Sequence, residues 1–178
     1  MGLMSAKRFW PLVAYIATIF AANWAITTFG LVPVGFGLLA PAGVYFAGLA
    51  FTFRDLTQDA LGRRWTYAAI IIGAALSGFL SGPLALASGT AFLFSETADF
   101  LVYTPLHRRH WLAAVAASNT VGLVVDSALF LFLAFGSLEF LAGQIVGKLE
   151  MTLLAVVVLW GWRALLARDA PTKLAQAD

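Results

Sequence analysis

Apolar residues run along this sequence in long stretches, and short segments rich in charged or chain-breaking residues separate them. Six stretches stand out, over residues 9–29, 41–62, 65–81, 84–106, 111–135 and 140–166. About 20 consecutive apolar residues suffice for a helix to cross the hydrocarbon core of a bilayer. The pattern therefore predicts an all-α integral membrane protein with six transmembrane helices in a single domain that covers residues 1–178.

The segments between the stretches predict how the helices are joined. Residues 30–40 contain several glycines and a proline but no charge, which is typical of a loop or a re-entrant turn. A tight turn is expected at residues 136–139, and cytoplasmic tails at residues 1–8 and 167–178. A cleaved signal peptide is an alternative for the first stretch, but the apolar region of such a peptide is shorter, at about 7 to 15 residues.

Lysine and arginine residues gather at alternate ends of the predicted helices. They fall within residues 7–8, 63–64, 108–109 and 163–173, whereas the other connections contain none. Since positive residues concentrate in short cytoplasmic loops, this pattern places both termini in the cytoplasm. His107 and His110 flank one of these groups and are interpreted as part of the same solvated loop.

The composition supports a membrane location and narrows the function. Hydrophobic residues make up 61% of the 178 residues and charged residues 11%, and the mean hydropathy is +0.88. These values lie far outside the range of soluble domains. The formal net charge of +2 is explained by the cytoplasmic loops, so nucleic acid is not expected as a partner. Cysteine is absent, which excludes disulfides and thiolate metal sites.

Apart from the basic residues at the helix ends described above, eight charged residues lie inside the predicted helices. They are Arg54, Asp55, Asp59, Glu96, Asp99, Asp126, Lys148 and Glu150, six acids against two bases. A charge at the centre of a bilayer costs on the order of 3 kcal/mol, so these side chains should face the helix bundle and find partners there. The excess of acids predicts that protons, a cation or a ligand with several hydrogen-bond donors occupies the interior.

Depth in the bilayer suggests which of these residues meet. With a rise of about 1.5 Å per residue from the nearest cytoplasmic arginine, Arg54, Asp99 and Asn119 lie roughly 13–15 Å deep. By the same rise, Asp126 and Lys148 lie roughly 22–26 Å deep. We therefore expect two clusters, one that pairs Arg54 with Asp99 and Asn119 and one that pairs Asp126 with Lys148. Alternatively, each cluster is an ion pair that stabilises the fold and contacts no ligand.

Helical spacing adds two residues to these clusters. Residues three or four apart share a helix face. Glu96 therefore lies on the face of Asp99, and Gln144 lies on the face of Lys148. Glu150 is two residues from Lys148 and is expected to point away from it.

Motifs of the common enzyme classes are missing from the sequence. It contains no P-loop, no HExxH motif and no GxSxG motif, so ATP hydrolysis, metalloprotease activity and esterase activity have no support. Asp55 and Asp59 form a DxxxD pattern that could hold Mg²⁺, but any helix with two acids produces it by chance, and Asp59 is expected at the membrane interface. We therefore expect a carrier or a binding subunit, not an enzyme, with no cofactor and no metal.

Four segments in order resemble one family of membrane transporters. They are FTFRDLTQDALGRR at 51–64, SETADFLVYTPLHRRHW at 95–111, ASNTVGLVVDSALFLFLAFG at 117–136 and GQIVGKLEMTLL at 143–154. Together they resemble the queuosine precursor transporter family, also called the vitamin uptake transporter family. The resemblance covers predicted helices 2 to 6.

The resemblance implies a multi-pass protein of the bacterial inner membrane that imports 7-deazaguanines such as preQ0 or preQ1. Carried over by motif, its functional positions are Asp55, Asp99, Ser118, Asn119, Asp126 and Lys148. Charge and spacing add Arg54, Glu96 and Gln144 to the candidate substrate-binding set. A carboxylate can accept the N1–H and the exocyclic amine of such a base as a pair, while Lys148 or Asn119 donates to its keto oxygen.

Two other classes of function stay open. The substrate-binding subunit of an energy-coupling-factor transporter has a similar length and helix number. Ala17, Ala21 and Ala25 in the first helix form a row of small residues that could dock such a coupling subunit. A structural or assembly protein is the second class, and it would bind no small ligand. Membrane lipid is an expected partner in each case, and a homodimer stays open.

Overall fold

The computed structural model describes residues 8–174, with side chains described for residues 8–162 apart from residue 83. This part of the chain forms six α-helices, which we number in chain order. They are α1 (Trp10–Phe29), α2 (Val44–Leu61), α3 (Arg63–Leu80), α4 (Ala85–Leu106), α5 (Trp111–Phe135) and α6 (Leu141–Leu174). A short 3₁₀ turn at Gly82–Leu84 joins α3 to α4.

The helix boundaries follow the apolar stretches closely, with one extension. Helix α5 has the bounds that the sequence predicts, and α1 begins one residue later than expected. Helix α6 continues to Leu174 instead of ending near residue 166. The sequence beyond residue 163 is rich in alanine, leucine and arginine, which are strong helix formers, so the end of the apolar stretch does not end the helix. Of the expected tails, residues 1–7 and 175–178 lie outside the described residues.

The all-α fold class is confirmed, and a small β-hairpin lies where the sequence predicts a loop or a re-entrant turn. Strands β1 (Leu31–Pro33) and β2 (Leu39–Pro41) pair antiparallel, with Leu31 opposite Pro41. Gly35, Phe36 and Gly37 turn the chain between them with φ angles of 88°, 52° and 73°. Glycine adopts positive φ without steric cost, which is why this sequence closes into a hairpin.

Helix α2 lies at the centre of the bundle, because it contacts each of the five other helices. Its contact with α6 depends on Gly48. A Cβ atom at this position would lie 2.9 Å from Met151 Cβ and 3.0 Å from the Lys148 carbonyl oxygen. The glycine therefore lets two helix backbones approach closely, as small residues do in helix pairs within membranes.

Apolar side chains cover the outside of the bundle, and polar side chains fill much of its centre. Phe79 is 86% exposed and Leu86 is 83% exposed, whereas Arg54, Asp55 and Asp99 are 0% exposed. This arrangement suits a lipid surrounding, in which only the interior can satisfy polar groups. Among the described residues, three segments are long and apolar enough to cross a membrane, namely Trp10–Phe29, Trp111–Phe135 and Leu141–Trp162. Six membrane crossings stay a prediction.

Apart from the buried Arg54 and Lys148, the described basic residues lie at one end of the bundle, which we call the basic end. The Arg8 guanidinium donates to the Ala60 carbonyl oxygen at 2.8 Å, next to the end of α2. Arg63, Arg64 and Arg108 line one depression at the junction of α2, α3 and α4. The β-hairpin joins the opposite ends of α1 and α2, so we call that side the hairpin end. The structure thus separates the charges as the sequence predicts.

Gly48→Val is expected to lower the free energy of unfolding by about 1–3 kcal/mol, because the new side chain overpacks the contact between α2 and α6. Thermal unfolding in detergent measures this loss. Gly161→Val is the matched control, since a Cβ at Gly161 in α6 meets no atom within 4 Å. Equal stability of the two variants would contradict the close packing of α2 on α6.

Candidate functional site

One guanidinium at the centre of the bundle contacts three carboxylates, and we call Arg54, Asp55, Glu96 and Asp99 the arginine cluster. Arg54 Nη2 lies 2.8 Å from Asp55 Oδ1 and also contacts Asp99 Oδ1. Arg54 Nε lies 3.5 Å from Glu96 Oε2. No side chain in this cluster is more than 1% exposed. Helices α2 and α4 are therefore joined by buried ionic contacts.

Helix α5 supplies neutral partners for two of these carboxylates. Ser118 Oγ donates to Asp55 Oδ2 at 3.3 Å. With its amide nitrogen turned toward α4, Asn119 donates to Asp99 Oδ2 at 3.3 Å. Gly122, one turn further along α5, permits this close approach because it has no side chain. A Cβ atom at this position would lie only 3.1 Å from Asp99 Cβ. The sequence Ser-Asn-Thr-Val-Gly thus combines two hydrogen-bonding side chains with the small residue that brings them within reach.

Two tyrosines complete the surroundings of the arginine cluster. The Arg54 Cζ atom lies 5.5 Å from the centroid of the Tyr103 ring, a cation–π distance. Tyr103 in turn stacks on His107 at the basic end, with ring centroids 5.1 Å apart. On the other side, Tyr15 of α1 is fully buried near the Glu96 carboxyl. Aromatic side chains therefore connect the cluster both to α1 and to the basic end.

The formal charges of the arginine cluster do not balance. One positive side chain faces three acidic side chains, all of them shielded from solvent. Burying unpaired charge costs several kcal/mol for each ion even after relaxation. The cluster therefore requires a further positive charge, such as a proton, when it is at rest.

A second ionic group surrounds Lys148 on α6, and we call Asp126, Ser127, Gln144 and Lys148 the lysine cluster. Lys148 Nζ donates to Asp126 Oδ2 at 2.5 Å, to Ser127 Oγ at 2.8 Å and to Gln144 Oε1 at 2.8 Å. These three bonds use the three donors of an ammonium group. The Asp126 side chain is 17% exposed, so this carboxylate keeps an accessible surface beside a fully buried lysine partner.

That accessible surface faces a cavity of about 350 Å³ that extends toward the hairpin end. All six helices contribute to its walls. The polar lining residues are Thr18, Asn23, Thr27, Ser77, Ser81, Ser88, Asp126, Gln144 and Lys148. Two aromatic residues, Phe92 and Phe130, line it as well. Concave sites of this size with a few convergent polar groups are typical of small-molecule binding.

The two clusters touch through one serine. Ser95 Oγ donates to Asp126 Oδ1 at 3.4 Å, and Ser95 is the chain neighbour of Glu96. The cavity with its lysine cluster therefore lies directly against the arginine cluster, which in turn faces the basic end. Among the described residues, no group of three or more His, Cys, Asp and Glu side chains is arranged to hold a metal ion.

The structure confirms both pairings expected from membrane depth, Arg54 with Asp99 and Lys148 with Asp126. The predicted depth of Glu96 in the bilayer did not assign it a partner, and in the structure it lies in the arginine cluster. Of the nine candidate binding residues, Asp126, Gln144 and Lys148 line the cavity. The other six, which are Arg54, Asp55, Glu96, Asp99, Ser118 and Asn119, form the buried layer beside it. Substrate contact by any of the nine stays a prediction.

Several cavity residues were missed by the sequence interpretation. Ser77 and Ser81 belong to a row of small residues on α3, for which packing is the simpler explanation. In the structure Ser77 shares a hydrogen bond of 2.7 Å with Ser88, and Ser81 donates to Asn23 Oδ1 at 3.1 Å. Asn23, the one amide side chain in the first helix, was the available signal. It marks α1 as a helix that faces the polar interior.

Comparison with known proteins adds one finding. Residues 78–165 match the family described as "Putative vitamin uptake transporter". This match indicates a membrane transporter. The matched segment contains the lysine cluster and, from the arginine cluster, Glu96 and Asp99, whereas Arg54 and Asp55 precede it. No curated protein and no solved structure matches the chain.

Arg54→Gln is expected to destabilise the protein by about 3–5 kcal/mol, because it leaves three buried acids without their cation. Thermal unfolding and the yield of monodisperse protein in detergent measure the loss. Adding Asp99→Asn to this variant should recover part of it.

Arg64→Gln serves as the control for the loss of one positive charge. Arg64 is exposed at the basic end, so its replacement should change the free energy of unfolding by no more than about 0.5 kcal/mol. If Arg54→Gln proved as stable as this control, the ionic contacts would not hold the bundle together.

Proposed function

We propose that this protein is a carrier that imports queuosine precursors, 7-deazaguanines such as preQ0 or preQ1, across the bacterial inner membrane. The observation that carries the proposal is the partly exposed Asp126 carboxylate, fixed by Lys148 in the wall of the cavity. The match of residues 78–165 supports the transporter class. The resemblance of the four sequence segments supports the choice of substrate.

The groups around the cavity complement a 7-deazaguanine. A carboxylate accepts an N–H and an adjacent amine as a pair, and Asp126 offers this acceptor surface. Gln144 uses its amide oxygen to accept from Lys148, which leaves its amide nitrogen as a donor for the keto oxygen of the base. Phe92 and Phe130 supply aromatic surface for the flat ring.

The position of the cavity agrees with import. We infer six membrane crossings with the basic end and both termini in the cytoplasm, because positive residues favour that side. Ile26, Thr27, Pro41 and Gly43, which lie next to the hairpin, line the cavity. A substrate would then reach Asp126 from outside the cell. The arginine cluster separates it from the cytoplasm.

Expression of this protein should restore queuosine in the transfer RNA of a strain that neither makes nor imports preQ0, once precursor is added to the medium. Mass spectrometry of the modified nucleoside is the measurement. A strain that carries Asp126→Asn is the negative control. If the wild-type protein is produced and no queuosine appears with either preQ0 or preQ1, the proposed substrate class is wrong.

Uptake by purified protein in liposomes separates a carrier from the binding subunit of an energy-coupling-factor transporter. A carrier requires no partner, whereas a binding subunit requires a coupling subunit with two ATPases. In the structure, Ala17 of the expected docking row is exposed, whereas Ala25 is 2% exposed. The row is therefore exposed at one end and buried in the bundle at the other, so only part of it could contact a coupling subunit.

Asp126→Asn is expected to weaken ligand binding by at least about 30-fold, since a lost charge-assisted contact in a buried site costs 2 kcal/mol or more. Ligand-induced thermal shifts with preQ0, preQ1, queuine and guanine measure the affinities. Arg63→Gln, at the exposed basic end, should alter topology or expression but leave affinity unchanged. Normal binding by both variants would assign the lysine cluster a structural role, and no shift with any ligand would favour an assembly protein.

A further inference from the structure

The three acids of the arginine cluster differ in how well the protein neutralises them. Asp55 and Asp99 both contact Arg54 Nη2, and each accepts a second hydrogen bond from α5. Among the described residues, the ionic contact of Glu96 is the longer one of 3.5 Å to Arg54 Nε. If one of the three acids is protonated, it is therefore Glu96. Protonation of Asp55 or Asp99 would weaken more contacts with hydrogen-bond donors.

The identity of the missing positive charge also follows from the geometry. A metal ion would bind between carboxylates, but the space between Asp55 and Asp99 is occupied by the Arg54 guanidinium. A proton needs no such space, since it resides on one oxygen atom. A proton compensates the charge at Glu96 without displacing Arg54.

We propose that Glu96 is a proton-carrying site that couples proton uptake to substrate import. This proposal rests on the carrier function proposed above and names its energy source. In its neutral form, the Glu96 carboxyl keeps one proton on an oxygen atom. Release of that proton leaves a carboxylate that Arg54 is placed to bind.

The groups that face Glu96 form a polar route between the cavity and the basic end. They are Tyr15 on α1, Arg54 and Asp55 on α2, Asp99 on α4 and Asp126 on α5, with Lys148 of α6 behind Asp126. On the cavity side, Ser95 bridges toward Asp126 at 3.4 Å. Toward the basic end, Tyr103 lies against both Arg54 and Asp59.

The proton balance of the cycle is simple. In the resting carrier, Glu96 is protonated. While substrate occupies the cavity, this proton leaves Glu96 toward Asp59 and the cytoplasm, and a proton from the outer side then passes Asp126 and Ser95 and restores the neutral carboxyl group. One proton thus crosses the membrane with the substrate, and an inward proton gradient drives accumulation.

Infrared spectroscopy of the purified protein tests the protonation without any substrate. The wild type should show the C=O stretch of a protonated carboxylic acid, shifted in D₂O, and Glu96→Gln should lose that band. Glu139→Gln, which removes an exposed acid before α6, is the matched control and should keep it. Absence of the band from the wild type, or its persistence in Glu96→Gln, overturns the proposal.

Transport in liposomes tests the coupling. With an acidic exterior, wild-type protein and Glu139→Gln should accumulate 7-deazaguanine several-fold above equilibrium, and a sodium gradient should have no effect. Glu96→Gln, which keeps the shape of the side chain, should lose this response to the proton gradient.

The outcomes separate the two proposals. Exchange by the wild type without response to the proton gradient overturns proton coupling and leaves the carrier function intact. Proton-driven accumulation by Glu96→Gln overturns the role of Glu96. Failure of the wild type to bind or exchange any 7-deazaguanine overturns the proposed substrate, and the infrared band then decides the protonation of Glu96 by itself.

Discussion

The burial of one guanidinium among three carboxylates is the constraint on which the rest of this structure depends. Arg54 lies on the helix that contacts all the others, and its partners are on the same helix and on α4. Such a group is stable in a bundle only if neighbouring helices supply donors and exclude lipid from it. Ser118 and Asn119 on α5 and Tyr15 on α1 meet this need. The electrostatics at the centre therefore determine how four helices are arranged.

Much of this arrangement could be predicted from the sequence because helices that cross the same layer share a common depth scale. A fixed rise per residue placed Arg54 level with Asp99, and Asp126 level with Lys148, and the structure contains both contacts. Depth does not give the rotation of a helix about its axis. For this reason it left Glu96 without an assigned partner, although Glu96 shares a face with Asp99.

The parts that could not be predicted depend on contacts between residues distant in the sequence. In the sequence, Ser77 and Ser81 resemble small residues that serve only helix packing. Their hydrogen bonds with Ser88 and Asn23, which make them part of the cavity wall, are visible only in the structure. The hairpin was hidden for a different reason. Its strands of three residues are too short to show an alternating pattern, and its turn depends on positive φ angles at Gly35, Phe36 and Gly37. The composition of residues 30–40 indicates that the helices are interrupted there, but it does not indicate the conformation of the connecting segment.

The contact between the hairpin and α6 restricts how the cavity can open. A Cβ at Gly143 would collide with the Leu39 carbonyl oxygen, and one at Gly147 would lie 3.2 Å from Val34 Cγ1. Gln144 and Lys148 each follow one of these glycines directly. The hairpin therefore packs directly on the helix segment that carries the side chains proposed to hold the base. Lifting the hairpin would break this packing and uncover the first two turns of α6, so opening the cavity at the hairpin end would remove support beside Gln144 and Lys148.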